Sequence, residues 1–125
     1  RIKWLKMKKP ITHFQSLECW NANEKNLRNP KYLKKFLCTI AKYCNSKARK
    51  FFCDHFKEGG MGITAMLTVQ ESFIIVETWP EINYLYVCAR LCGKQIKIEG
   101  IKKALKEFFP EVKKIKVYEE RIKKK

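Results

Sequence analysis

A serine hydroxyl lies beside a peptide carbonyl where Ser72 follows Glu71, at the head of the apolar run Phe73–Thr78. If the backbone there is strained or tightly turned, the hydroxyl can attack the carbonyl carbon of Glu71 and convert the amide into an ester. Elimination from that ester cuts the chain and leaves a dehydroalanine, and its hydrolysis, with loss of ammonia, gives a pyruvoyl group, a ketone, at the new N-terminus. Such a group can form a Schiff base with a substrate amine and act as an electron sink. The Glu-Ser pair is also compatible with an ordinary exposed turn between two strands.

The cysteines give no signal for a metal centre or for a disulfide framework. There are six of them: Cys19, Cys38, Cys44, Cys53, Cys88 and Cys92. None forms a C-x-x-C pair, so no zinc or other metal site is predicted. No secretion signal is visible, so disulfide bonds are not expected and most of the thiols are predicted to be small buried side chains.

Hydrophobic periodicity predicts six strands and two helices around these residues. The predicted strands are Ile11–Trp20, Lys50–Phe56, Ile63–Val69, Phe73–Thr78, Tyr84–Leu91 and Val112–Tyr118. One helix begins at Pro30 with Asn29 as its cap and ends at Asn45-Ser46. The second spans Ile98–Phe109 and is stopped by Pro110. The remaining long connections, Asn21–Asn29 and Lys57–Gly62, are predicted as loops.

The order β-α-β-β-β-β-α-β, with several hairpin-like neighbours, favours an antiparallel sheet. Two amphipathic helices of similar character would then cover one face of it, which makes the predicted fold class α+β, a two-layer sandwich. The opposite face of the sheet must meet water or a second copy of the chain.

Length and composition indicate one globular domain over residues 1–125. A chain of 125 residues with 46% hydrophobic residues can bury a single core, which excludes a disordered chain. No apolar run approaches the roughly 20 residues of a membrane helix, and no apolar stretch follows the basic start RIKWLKMKKP. A cytoplasmic protein without a membrane partner is therefore expected.

The formal net charge of +16 invites a nucleic-acid or anionic-membrane interpretation. The lysines, however, are spread through both predicted helices and the C-terminal tail, and no nucleic-acid-binding motif lies among them. A solvated lysine-rich surface is the favoured interpretation, and a nucleic-acid partner is not predicted.

A resemblance to a known family lies in residues 62–93, which read GITAMLTVQESFIIVETWPEINYLYVCARLCG. This segment resembles the small, prokaryotic-type S-adenosylmethionine decarboxylases. In that family Gly-Val-Ser-Gly leads to Glu-Ser-His-x-x-x-His-Thr-Trp-Pro-Glu, and an aromatic-containing strand then ends in Cys-Gly. The matching pieces here, without a gap, are Gly62-Ile63-Thr64, Glu71-Ser72, Thr78-Trp79-Pro80-Glu81, Tyr84 and Cys92-Gly93. An early His13 and the order of the flanking elements also fit, so the resemblance covers most of the chain.

The resemblance implies a self-processing enzyme with a pyruvoyl cofactor made from Ser72. The chain would be cut between Glu71 and Ser72, into residues 1–71 and 72–125. Cys92 matches the family's catalytic cysteine, which returns a proton to the substrate carbon after CO₂ leaves. Thr64 matches a family serine whose hydroxyl helps self-processing.

The resemblance also implies a substrate-binding set. Glu81 matches the carboxylate that holds the ribose hydroxyls of the substrate, and two carboxylate oxygens can accept both hydroxyl protons. Trp79 lies in the same motif. Phe56 is a candidate for stacking on the adenine, although the loop between it and Thr64 is two residues longer than in the family. A core aromatic is the alternative interpretation of Phe56. Aromatic faces would also attract the substrate's sulfonium cation.

Two positions depart from the family pattern. Glu77 stands where the family has a histidine that relays protons during processing, and Phe73 stands where another histidine directly follows the serine. A carboxyl group at position 77 could relay protons only if burial kept it protonated. An ionised carboxylate would instead place negative charge beside the nascent oxyanion and disfavour processing.

Three functions are compatible with these observations. The first is pyruvoyl-dependent decarboxylation of S-adenosylmethionine to the aminopropyl donor for spermidine synthesis, or of another amino acid such as arginine. The second is an uncut homologue that binds or regulates, which Glu77 and Phe73 favour. The third, a basic nucleic-acid-binding module, rests on net charge alone. Family members assemble as dimers with shared active sites, so a homodimer is expected.

Overall fold

The structure is a computed structural model that describes residues 11–70 and 72–122. Its centre is a six-stranded sheet with the order β2-β3-β4-β5-β1-β6, in which every neighbouring pair is antiparallel. The strands are β1 (Thr12–Trp20), β2 (Ala48–His55), β3 (Ile63–Val69), β4 (Ser72–Trp79), β5 (Tyr84–Cys92) and β6 (Lys114–Ile122). All six predicted strands are present. Strand β6 runs four residues beyond its predicted end because it pairs with β1 along the whole length of that strand.

The helices are α1 (Glu24–Leu27), α2 (Pro30–Tyr43) and α3 (Gly100–Phe108), and a 3-10 turn spans Pro80–Ile82. Helix α1 corrects the sequence prediction, which placed only a loop between Asn21 and Asn29. Its start is capped by Asn23, whose side-chain oxygen accepts from the Lys25 N–H at 2.9 Å. Asn29 caps α2 as predicted, accepting from the Tyr32 N–H at 3.1 Å.

Helices α2 and α3 pack side by side over one face of the sheet, which confirms the predicted α+β sandwich. Their apolar stripes meet the buried, alternate residues of β3, β4 and β5 in one core. At the junction of the two helices, a Cβ on Gly100 would lie 2.5 Å from the carbonyl carbon of Tyr43. The helices therefore touch through backbone at that point. No described helix has the length and apolar character needed to span a bilayer.

The second face of the sheet, called here the open face, carries no helix. Among the rows of side chains that strand alternation places on it, two cross all six strands in register. One row is largely apolar: Tyr118, Ser16, Cys88, Ile75, Met66 and Phe52. The next row is polar: Lys116, Glu18, Tyr86, Glu77, Thr64 and Asp54. The open face thus joins an apolar band to a band of titratable groups.

Candidate active site

A cleft of about 480 Å³ opens at one end of β3 and β4. It is lined by the loop that follows β2, by the facing residues of the two strands and by the 3-10 turn. Five of the site residues proposed from the sequence line this cleft: Phe56, Thr64, Glu77, Trp79 and Glu81. The fold therefore gathers residues that are up to 25 positions apart in the chain.

Thr64 and Glu77 are direct cross-strand partners on the open face. Tyr86 pairs with Glu77 from the other side, so Glu77 lies between Thr64 on β3 and Tyr86 on β5. The pKa of Tyr86 is raised overall: a hydrogen bond with Ser16 lowers it, but burial and neighbouring acidic groups, Glu77 among them, outweigh that effect. Position 77 therefore belongs to an acidic environment.

A glycine-containing loop closes one side of the cleft. A Cβ on Gly62 would lie 2.3 Å from the Thr78 carbonyl oxygen, and one on Gly60 would lie 2.4 Å from Glu81 Oε1. The approach of Gly62 to backbone requires a residue without a side chain, whereas the Glu81 carboxylate near Gly60 could shift aside. The Arg28 guanidinium holds the loop by donating from Nε to the Gly60 carbonyl at 2.9 Å. The loop thus brings backbone directly against Glu81.

Thr78 in the Thr-Trp-Pro-Glu motif has a structural task. Its buried hydroxyl donates to the Leu27 carbonyl at 2.8 Å and accepts from the Ile63 N–H at 2.9 Å. It thereby ties α1 and the start of β3 to the end of β4. Pro80 then begins the 3-10 turn that carries Glu81, and Asn83 ends the turn with a positive φ of 53°.

Exposed aromatic rings flank the cleft. Phe56 is 50% exposed and Trp79 is 39% exposed. The alternative interpretation of Phe56 as a core aromatic is therefore wrong. Trp79 is braced edge-on by Tyr84, with ring centroids 5.3 Å apart, and Tyr84 in turn contacts Trp20 at 5.4 Å. Both exposed rings are available to stack on a flat ligand.

Ser72 and Cys92 lie at the opposite end of the sheet from the cleft. Ser72 is the first residue of β4 and pairs with Val69 across the hairpin, while Cys92 is the last residue of β5 and pairs with Thr12. Five residues of extended strand separate Ser72 from Glu77, which is about 16 Å. The structure therefore brings Ser72 and Cys92 to one end, and separates both from the other candidate residues.

The Ser72 hydroxyl has an unusual environment. Its Oγ atom is buried and has no hydrogen-bond partner. Strand alternation places Ser72 with the helix-covered residues Ile74 and Val76 rather than with Glu77. Glu71, the other half of the predicted cleavage site, lies outside the described residues. A buried hydroxyl without a partner is costly, so this atom is a candidate for chemistry rather than for stability.

Two residues of the cleft region were missed by the sequence analysis. Glu58 lines the cleft, and Tyr86 borders Glu77. The only signal for Tyr86 was its alternation with Tyr84, which places both on one face of a strand. Glu58 carried no signal, because it follows β2 in a loop. Among the described residues, no group of three His, Cys, Asp or Glu side chains could hold a metal ion.

Fold and cleft together define a small two-layer α+β protein with an acidic, aromatic-walled cleft. The family model described as S-adenosylmethionine decarboxylase matches residues 13–121, and the chain belongs to that family. This confirms the resemblance found in the central third of the sequence.

Sequence relatives agree with this membership, and a solved structure shares the fold. The chain is 30% identical to an S-adenosylmethionine decarboxylase proenzyme of Methanococcus maripaludis over 97 residues, which cover 74% of each protein. It is 31% identical to an arginine decarboxylase proenzyme of Caldivirga maquilingensis over 78 residues, which cover 62% of this chain and only 58% of that relative. The adenosylmethionine decarboxylase structure from Aquifex aeolicus superposes with a TM-score of 0.77 over 90% of each chain. At 17% identity, this last likeness establishes the fold alone.

Proposed function

We propose that this protein is a pyruvoyl-dependent decarboxylase of S-adenosylmethionine, which makes the aminopropyl donor for spermidine synthesis. The observation that carries the proposal is the cleft, which assembles Phe56, Thr64, Glu77, Trp79 and Glu81 in a member of this family. Six free cysteines fit a reducing cytoplasm as the place of action.

The chemistry of the cleft suits this substrate. Glu58, Glu77 and Glu81 bring three carboxylates to the lining of one cleft in a chain of net charge +16. Such a local excess of negative charge attracts a cation, and the substrate carries a sulfonium and an ammonium group. Phe56 and Trp79 offer aromatic faces to the adenine ring and to the sulfonium. Glu81 can accept hydrogen bonds from both ribose hydroxyls.

The Ser72 end of the sheet fits a self-generated pyruvoyl group. A two-residue connection joins Val69 to Ser72, and the unpartnered Ser72 Oγ forms no hydrogen bond that it would have to give up before attack. When present, the pyruvoyl group supplies the electron sink for loss of the substrate carboxylate. Cys92, half-buried near the same end, is proposed to deliver the proton that replaces CO₂.

A homodimer would bring the Ser72 end of one copy close to the cleft of the other. Within one protomer, Ser72 and Cys92 are separated from the cleft by about 16 Å of strand. A twofold axis running across the strands, with the open faces packed together, would place the Ser72 end of one copy against the cleft of the other. The apolar row on the open face, with Phe52 51% exposed, supports this packing. Since Ser72 alternates with covered residues, the start of β4 must turn outward to face the partner's cleft, both for cleavage there and for the later decarboxylation.

Arginine is the second candidate substrate. A relative of comparable identity is described as an arginine decarboxylase proenzyme. A guanidinium group is planar and cationic, and it can pair with a carboxylate and stack on an aromatic ring. The acidic, aromatic-walled cleft is therefore suited to this group as well.

The test combines intact-mass measurement with release of labelled CO₂. The purified chain is expected to give two fragments that break between residues 71 and 72, and to release CO₂ from carboxyl-labelled S-adenosylmethionine. Ser72→Ala is expected to stay in one piece and to be inactive. Ser46→Ala, a matched change in the turn after α2, is expected to be cleaved and to release CO₂ like the wild type. Release from labelled arginine alone would establish the second candidate. One stable intact mass, with no carbonyl reactive toward hydrazine, would reject both and leave a binding protein.

A further inference from the structure

The exposed side of helices α2 and α3 carries an unusual concentration of positive charge. The two helices contain seven exposed lysines, here called the helical lysine face: Lys31, Lys34, Lys35, Lys42, Lys102, Lys103 and Lys106. Their one carboxylate is Glu107, which accepts a hydrogen bond from the Tyr43 hydroxyl. Within the part of the chain that the structure describes, none of the seven lysines is paired with a carboxylate.

The fold creates this face, which the sequence did not reveal. Along the chain the seven lysines fall in two segments, whose nearest members, Lys42 and Lys102, are 60 positions apart. Packing of α2 against α3 makes them neighbours, as the Lys103 ammonium over the Tyr43 ring at 4.4 Å shows. Several carboxylates lie on the other layer instead, since Glu18, Glu77 and Asp54 share the polar row of the open face. The helices therefore carry an excess of lysines, whereas the polar row of the open face mixes these three carboxylates with Lys116.

We propose that the helical lysine face binds the phosphate backbone of double-stranded nucleic acid. At 3.6 residues per turn, the four lysines of α2 fall within an arc of about 100°. Lys31 and Lys42 are about 16 Å apart along the helix axis. A duplex of that length carries roughly ten phosphates, so one side of it can meet all four ammonium groups.

The composition of the face argues against other anionic partners. Insertion into a lipid surface needs large apolar side chains beside the lysines. The exposed large apolar side chains of the described residues all lie outside α2 and α3: Phe52, Phe56, Met61, Trp79, Ile82, Ile115 and Tyr118. Single-stranded nucleic acid needs free aromatic rings for stacking. Tyr32 and Tyr43, the tyrosines of α2, are instead hydrogen-bonded to α3.

This surface is separate from the proposed decarboxylase site. None of the seven lysines lines the cleft, and all lie on the layer opposite the open face. A dimer formed through the open faces would leave both helical lysine faces outward. Binding of nucleic acid and decarboxylation can therefore be tested independently, and failure of one says nothing about the other.

The test measures anisotropy of a fluorescent 20-base-pair duplex, as DNA and as RNA, titrated with the full chain at several KCl concentrations. We expect log K to fall with log salt with a slope of about −3 or steeper. The variant K31Q/K35Q/K42Q is expected to make that slope shallower by about one per lysine, and to weaken binding more than tenfold at 0.1 M salt. Preference for one duplex type would identify the form of helix that the face fits.

A matched variant separates location from total charge. K57Q/K94Q/K113Q removes the same charge from exposed lysines in loops outside α2 and α3, and is expected to weaken binding less than threefold. Circular dichroism should show unchanged melting for both, since glutamine and lysine have similar helix propensity. Equal losses in the two variants would overturn the proposal. So would absence of duplex binding at 50 mM KCl, or binding to phosphatidylserine vesicles without binding to duplex.

Discussion

At the scale of single residues, the proposed self-processing is expected to depend on position 77. The carboxylate of Glu77 is half-buried between Thr64 and Tyr86, at the position where the resemblance leads us to expect a histidine. A neutral imidazole can accept and return a proton near neutral pH, whereas an ionised carboxylate is a weak proton donor and repels an oxyanion.

Replacing Glu77 by histidine is expected to accelerate self-cleavage at least tenfold, because general acid–base catalysis contributes about 10²–10⁴-fold. Gel analysis of freshly synthesised chain over time measures the rate. Glu77→Gln, which removes the charge but cannot relay protons, serves as the control. It should cleave more slowly than the histidine variant, whether or not it is faster than the wild type. A histidine variant that cleaves more slowly than the wild type would show that the family role does not transfer to this position.

Two buried thiols predict how stability depends on alkaline pH. Burial, assisted by the neighbouring Glu18, raises the pKa of Cys19 from 9.0 to about 12. Burial, assisted by Glu99, does the same for Cys44. The unfolded chain releases these protons above pH 9 while the folded chain keeps them. The stabilisation is therefore complete below pH 9 and is lost as pH rises from 9 toward 12.

At pH 10, deprotonation of each thiol in the unfolded chain should lower the free energy of unfolding by about 1–2 kcal/mol relative to pH 7.5. Urea denaturation at both pH values measures this. The variant C19A/C44A is expected to be less stable at pH 7.5, because it leaves cavities, but to lose about 3 kcal/mol less on going to pH 10. Equal losses of unfolding free energy in the variant and the wild type between pH 7.5 and pH 10 would contradict the assignment to these two thiols.

At the scale of elements, α2 and α3 are held together by close backbone approach as well as by apolar side chains. Gly100, the first residue of α3, is buried against the last residues of α2. Alanine favours helix over glycine by about 1 kcal/mol, so a purely local argument predicts that Gly100→Ala stabilises the protein. The tertiary contact predicts the opposite sign.

Gly100→Ala is expected to lower the unfolding free energy by about 1–3 kcal/mol, because the new methyl group must displace backbone atoms of Tyr43. Thermal denaturation followed by circular dichroism measures the change. Lys102→Ala, at an exposed position of the same helix, should lie within about 0.5 kcal/mol of the wild type. A gain in stability for Gly100→Ala would mean that the two helices can separate there at no cost.

At the scale of the whole molecule, the open face is the surface left without a partner. A groove of about 380 Å³ runs across it, lined by apolar residues that include Phe52, Met66 and Ile75. Its polar neighbours belong to the same row as Glu77 and Thr64. Covering this face would therefore bury apolar surface and enclose the candidate site in one event.

We expect the wild-type protein to sediment as a dimer, and Met66→Glu to sediment as a monomer, because a carboxylate cannot be buried unpaired between two sheets. Analytical ultracentrifugation measures the mass, and far-UV circular dichroism should show an unchanged fold. Lys35→Glu, a charge change on α2, is the control and should remain dimeric. A monomeric wild type, or a dimeric Met66→Glu, would place the interface elsewhere.

Much of the architecture was predictable because it rests on short-range patterns. Alternating apolar residues defined the strands, and the cap Asn29 with Pro30 defined the start of α2. Helix α1 was missed because its single turn, Glu24–Leu27, is polar except at Leu27 and is held by the long-range contact with Thr78. A hydrogen bond across 51 positions leaves no local signal.

The sequence by itself determined the family, the six strands and the types of residue available for chemistry. Only the tertiary structure decided which of them meet. Ser72 and Glu77, five positions apart in a motif, are held far apart because an extended strand separates its residues by about 3.3 Å each. Phe56 and Glu81, distant in the chain, share one cleft, and the lysines of two helices share one surface. Proximity is set by strand pairing and layer packing, which a linear motif does not encode.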